Sequence, residues 1–215
     1  MKRALTIIIT LWLCQVLYCQ QDESNIMNIR KMYNNINENI SSFEKYDVYY
    51  DKNDNSYILV PFNKARFLDE LDEISSLYAF GNDTMSNNAE YNNTVYILNN
   101  KIQLVEVYYS DYPEAMINNY QAFYFTENKL FFFYERYQET NYWVEPDSCC
   151  PSVITEHRYY YKDEKLIRAL EKYLETTSTE DPDNINKLPN YEIYPDDDEE
   201  MLNMAGEFTN ARILK

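Results

Sequence analysis

The chain has 215 residues, with 36 acidic and 19 basic side chains for a formal charge of −17, and it contains 23 Tyr, 10 Phe, 2 Gly and 1 His. Two glycines cannot build a phosphate-cradling loop, whose backbone must pass close to the anion, and one histidine removes most histidine-based metal sites. The acidic balance argues against nucleic acid as a partner, and the aromatic content is too high for a disordered acidic tail.

In chain order, Lys2 and Arg3 precede an uncharged apolar run, Leu5 to Leu13, which leads through Val16-Leu17-Tyr18-Cys19 to the polar Gln20-Gln21-Asp22-Glu23. A positive start, a short apolar stretch and an abrupt polar onset are the order of a secretory signal peptide, and the run is too short for a membrane anchor. Residues 1–19 are therefore expected to be a signal peptide, with Gln20 at the mature N-terminus. Lipidation of Cys19, as in a bacterial lipoprotein, is the alternative, although Tyr18 is bulkier than the residue such a motif places before its cysteine. The expected location is periplasmic or secreted, with membrane attachment only if Cys19 is lipidated. Without Lys2 and Arg3 the balance is 17 basic against 36 acidic side chains, or −19.

From Ile26 the apolar residues Ile26, Ile29, Tyr33, Ile36, Ile40 and Phe43 recur at alternating spacings of three and four, which paints one stripe on a helix. Tyr46–Tyr50 and Ser56–Val60 predict a hairpin, Asn63–Tyr78 a second helix, and Gly81–Asn93 a polar loop. Between Thr94 and Tyr173 one strand–turn–strand unit occurs three times, anchored at Lys101-Ile102, Lys129-Leu130 and Lys165-Leu166. Tyr, Phe, Val and Ile suit a pleated surface, and Asn supplies the turn conformation usually left to Gly. Alternation groups Phe123, Phe125, Leu130 and Phe132 on one face, with Tyr124, Phe131 and Phe133 on the other. It likewise groups Tyr159, Tyr161, Leu166 and Leu170 opposite Tyr160, Ile167 and Ala169. Both faces are apolar enough to need cover. The segment from Thr176 reads as an irregular acidic linker and a final helix from about Asp196 to Arg212.

These elements predict an α+β fold. An N-terminal amphipathic helix packs on an antiparallel β-meander of repeated hairpins, six to eight strands in all, within residues 20–175. Residues 176–215 form the acidic linker and C-terminal helix.

The pieces Tyr120-x-x-Phe-Tyr-Phe-x-x-x-Lys129-Leu and Glu156-His-Arg-Tyr-Tyr-Tyr-x-x-x-Lys165-Leu-Ile-Arg168 resemble those of exported, hairpin-rich proteins of Bacteroidetes-type bacteria, a family of unknown function. The helix Ile29-Arg-Lys-Met-Tyr33-x-x-Ile36-x-x-x-Ile40 is similar too, so the resemblance spans roughly residues 24–50 and 95–173. It implies export and this fold, and it brings no catalytic residues.

Among candidate sites, His157 is the single histidine, on a strand expected at a sheet edge; to act as a general base it needs a carboxylate such as Glu135 or Glu171 to orient it. Glu106, Glu135 and Glu171 sit at matching places in the repeats, which admits a carboxylate-based hydrolase. Neither a Gly-x-Ser-x-Gly elbow nor a His-Glu-x-x-His pair is present. Tyr137, Tyr142 and Trp143 offer aromatic surface for a sugar or peptide, beside the Pro-flanked Cys149-Cys150 pair. Adjacent cysteines in an exported chain suit a strained vicinal disulfide or intermolecular bonds. No metal site or cofactor is expected. The expected function is a non-enzymatic binding or interaction module that meets a protein, peptide or glycan, in inhibitor- or immunity-like fashion if the partner is a basic protein. A carboxylate-based hydrolase and a structural envelope protein are the alternatives.

Overall fold

The apolar stripe beginning at Ile26 forms helix α1, residues 23–39, which passes through a 3₁₀ turn at Ile40–Ser42 into the sheet. The computed structural model describes residues 23–51, 56–62, 77–79, 90–111, 115–141, 150–177, 179–195 and 199–214. The expected signal-peptide segment with Cys19, and residues 63–76 of the second expected helix, lie outside these residues.

The expected first hairpin is present as β1 (Glu44–Asp51) and β2 (Ser56–Pro61), paired from Tyr46↔Pro61 to Asp51↔Ser56. Leu77–Ala79 form a short strand, β3, on β1 rather than the end of a helix. β4 (Glu90–Leu98) starts within the expected polar loop, because Glu90–Asn93 pair through their backbone with Val107–Ser110 of β5 (Lys101–Asp111). Then follow β6 (Ala115–Thr126), β7 (Lys129–Asn141), β8 (Pro151–Lys162) and β9 (Lys165–Thr177), each antiparallel to the one before. With the short strands β10 (Tyr191–Ile193) and β11 (Arg212–Ile213), the described residues form one eleven-stranded sheet in the order β10-β9-β8-β7-β6-β5-β4-β1-β2-β11.

The three repeated hairpins are geometrically alike. Their central residues all have positive φ: Asn99 and Asn100 at 53° and 60°, Glu127 and Asn128 at 51° and 60°, Asp163 and Glu164 at 51° and 61°. Two consecutive left-handed residues are the type I′ turn, whose twist matches that of the flanking strands. Each turn is followed by a register shift that leaves one residue extra, at Gln103, Phe131 and Ile167. An extra residue inverts the alternation beyond it, so the expected faces need correction. Phe132 stacks on Tyr124 and Tyr160 at 5.6 and 5.1 Å, and Phe133 on Phe123 and Tyr159 at 4.7 and 5.6 Å. Leu170 likewise joins Tyr160, and Ala169 joins Tyr159 and Tyr161.

The sheet therefore has two apolar faces, and a helix lies on each. Ile26, Ile29, Ile36 and Phe43 are buried against Leu104, Tyr124 and Phe132 on the first face, each contributing about 1.5–3 kcal/mol on burial. Helix α2 (Glu199–Thr209) covers part of the second, where buried Phe208 meets Phe123 at 5.5 Å. The final helix is thus shorter than expected, and Arg212 lies in β11, parallel to β2. Between β9 and β10 a 3₁₀ turn, Pro182–Lys187, buries Ile185 completely.

Candidate functional site

A cross-strand polar row occupies the α2 side of the sheet. Register places Gln121, Glu135, His157 and Glu171 opposite one another on β6 to β9. His157 Nδ1 lies 3.1 Å from Glu135 Oε2, and Nε2 lies 3.1 Å from Glu171 Oε2. Glu135 Oε1 accepts from Gln121 Nε2 at 2.9 Å and Asn119 Nδ2 at 3.2 Å. The hydrogen bond to Glu135 raises the His157 pKa against the opposing effect of burial, and Glu171 adds to the rise. Burial pushes the Glu135 carboxyl up, but bonds from His157, Gln121 and Asn119 outweigh it and hold the carboxyl below its ordinary value. Both ring nitrogens face carboxylate oxygens, an arrangement that favours the protonated imidazole, whereas a general base needs a free lone pair. These bonds tie the four strands β6 to β9 together in register. The row also lies inside the sheet, since β8 runs between β7 and β9 and is no edge strand.

Glu106 does not join Glu135 and Glu171. Counted from the turn lysine it comes one residue earlier, so it points to the opposite face and accepts from Tyr96 and Tyr120 hydroxyls at 2.7 and 2.6 Å. Burial, then these bonds, raises both phenols well above the usual range.

On that face, under α1, a second polar group is built around Glu156, whose side chain is only 2% exposed. Arg158 Nη2 donates to Glu156 Oε2 at 2.7 Å, and the Tyr134 hydroxyl donates to Oε1 at 3.0 Å. Arg136 approaches the same carboxylate at 3.9 Å. Arg136 also holds the turn that follows β9, donating to Asp183 Oδ1 and the Pro182 carbonyl at 3.1 Å each. Arg158 reaches Asn190 Oδ1 at 2.7 Å and lies 5.8 Å over the Tyr134 ring, a cation–π arrangement. Behind them buried Lys172 donates to the Ile185 and Asn186 carbonyls at 3.3 and 3.2 Å.

Tyr134, Arg136, Glu156 and Arg158 floor an open pocket of about 530 Å³ between α1, β7–β9 and the segment after β9. Helix α1 contributes Ile29, Arg30, Tyr33 and Asn34, and the sheet contributes Phe132 and Tyr160. Three arginines line it against one carboxylate, a local excess of positive charge in a chain of −17. Each guanidinium has five N–H donors, and Arg136 and Arg158 spend only part of theirs on protein acceptors. Both side chains keep about a quarter of their surface exposed, 25% and 23%.

Of the aromatic candidates, Tyr137 lies on the α2 side, away from this pocket. Its hydroxyl donates to Glu139 Oε2 at 3.0 Å; burial, and then that bond, pushes its pKa up to about 12. Tyr142, Trp143 and Cys149 lie outside the described residues, while Cys150 is described as a partly exposed free cysteine. Among the described residues no cluster of His, Cys, Asp and Glu has the arrangement to hold a metal ion, and no helix is long and apolar enough to cross a membrane.

Sequence reasoning singled out His157 but passed over its neighbours Glu156 and Arg158, and missed Arg136. The usable signal was their parity: on β8, residues flanking His157 must face the opposite side, which the N-terminal helix covers. No family model, curated protein or solved structure matches this chain.

Proposed function

We propose that the chain is an exported, non-enzymatic binding module whose ligand enters the pocket between α1 and the sheet. The observation that carries this reading is the open pocket of about 530 Å³, within the range of about 300–1,000 Å³ usual for small-ligand sites, with guanidiniums held in place by buried Glu156. Polar groups fixed before binding lose little entropy when a ligand arrives. Export rests on the N-terminal pattern of Lys2, Arg3 and the apolar run to Leu13. The chain charge of −17 supports a second contact, a basic protein partner met in an inhibitor- or immunity-like role at the acidic exterior.

Protein-observed NMR with a fragment set of neutral sugars, sugar acids and short peptides tests the pocket. At least one member is expected to shift resonances of Tyr33, Tyr134 and Tyr160. Asn34→Trp, an exposed position on the pocket wall, is expected to abolish those shifts while leaving the melting temperature unchanged. Shifts that persist in that variant, or none in the wild type, contradict the reading.

A further inference from the structure

We propose that the pocket under α1 takes a sugar acid, a pyranose ring bearing a carboxylate. This rests on the pocket being a binding site and adds the chemical class of its occupant. The charge argument comes first. The pocket is lined by Arg30, Arg136 and Arg158 with Glu156 as the one acidic residue, although acidic side chains outnumber basic ones 36 to 19 in the whole chain. A planar guanidinium fork matches a carboxylate through paired N–H···O bonds. Arg136 is held by Asp183 and the Pro182 carbonyl, and Arg158 by Glu156 and Asn190, so both guanidiniums are fixed before a ligand arrives and keep their remaining N–H donors for it.

The second argument is size and wall chemistry. A pocket of about 530 Å³ holds far more than one small anion, so the ligand has a body attached to its charge. Half-buried Tyr33 and Tyr134 offer ring surface to that body in front of buried Phe132 and Tyr160, and exposed Asn34, Asn186 and Asn190 add amides to the wall. Stacking faces combined with amide donors and acceptors suit a ring with apolar C–H faces and a rim of hydroxyls. An aromatic acid would use the rings and leave these exposed amides to water, whereas a hydroxyl rim adds hydrogen bonds to them.

Calorimetric titration of the full mature chain tests this, with galacturonic acid, its trimer, galactose and benzoate as probes. Galacturonic acid or its trimer is expected to bind at least about tenfold more tightly than galactose and benzoate, the worth of one charge-assisted bidentate contact. Binding of the monomer points to a free sugar acid, and binding of the trimer alone to an acidic polysaccharide; either supports the class. Arg30→Gln removes an exposed cation without touching the buried pairs, and is expected to weaken uronate binding about fivefold while leaving the fold intact. Equal binding of galactose and galacturonic acid, or tighter binding of benzoate, overturns the sugar-acid class but leaves the pocket a binding site. Silence of all four probes, with another fragment still shifting Tyr33 and Tyr160, does the same. Silence of every fragment overturns both readings.

Discussion

Arg158 Nη2 donates to Glu156 Oε2 at 2.7 Å, although the two residues stand only two apart on one strand. Residues at that spacing share a face, and that face is the one α1 covers. The consequence is a buried carboxylate whose charge is answered mainly from its own strand, with Arg136 of β7 assisting at 3.9 Å.

Removing the near partner should therefore be costly. Arg158→Met is expected to destabilise the chain by about 2 kcal/mol in urea unfolding, below the full cost of breaking a buried pair because Arg136 and Tyr134 remain beside Glu156. Arg30→Gln, on the same pocket wall but exposed, should fall within about 0.5 kcal/mol of wild type. Equal effects from the two would contradict the account of Glu156.

The His157 row should give a stability contribution with a defined pH window. His157 has a raised pKa, so its contribution is complete below its ordinary value of 6.5 and is lost as pH rises through the folded value. Glu135 has a lowered pKa, so its contribution is present above its ordinary value of 4.5 and is lost as pH falls through the folded value. The stability difference between wild type and His157→Gln is expected to be largest between pH 4.5 and 6.5, at about 1 kcal/mol, and to shrink by about pH 9. Urea unfolding at three pH values measures it. Because the chain has a single histidine, an NMR titration reports the His157 pKa without ambiguity, and a value at or below 6.5 would refute the row.

The third hairpin offers a stabilising change. Glu164 sits at φ 61°, where a side chain costs about 1–2 kcal/mol and glycine does not. Glu164→Gly creates an Asp-Gly pair, the preferred type I′ sequence, and loses only the exposed contact with Lys129 at 3.7 Å. A net gain of about 0.5–1 kcal/mol is expected in thermal unfolding. Destabilisation would show that the turn is not type I′.

Phe208 tests how α2 is held. Its side chain is fully buried between Tyr57 and Phe123, at ring distances of 6.1 and 5.5 Å. Phe208→Ala is expected to cost about 3–4 kcal/mol and to expose α2 to proteolysis. A loss under 1 kcal/mol would mean the helix does not dock where it is described.

Much of this architecture was legible in the chain because it is carried by period. The three-and-four spacing from Ile26 gave α1, and the Lys101, Lys129 and Lys165 anchors gave three hairpins whose turns are alike. The bulges at Gln103, Phe131 and Ile167 were not legible, since an extra residue leaves no mark in composition yet inverts every side chain after it. Strands of two or three residues, β3, β10 and β11, are too short to show a period of two. The site was legible only as residue types. Glu135, His157 and Glu171 were named, but their convergence depends on register across three strands. Glu156, Arg136 and Arg158 interrupt an apolar face and so read as solvent-facing polar residues until the helix above them is placed.

The pocket under α1 is the central claim, and a crystallographic fragment soak of the chain tests it most directly. The account predicts density for a carboxylate-bearing fragment among Arg30, Arg158 and Tyr160 in the wild type, and none there in Asn34→Trp. Fragments that bind only elsewhere, or none at all in that pocket, would contradict it.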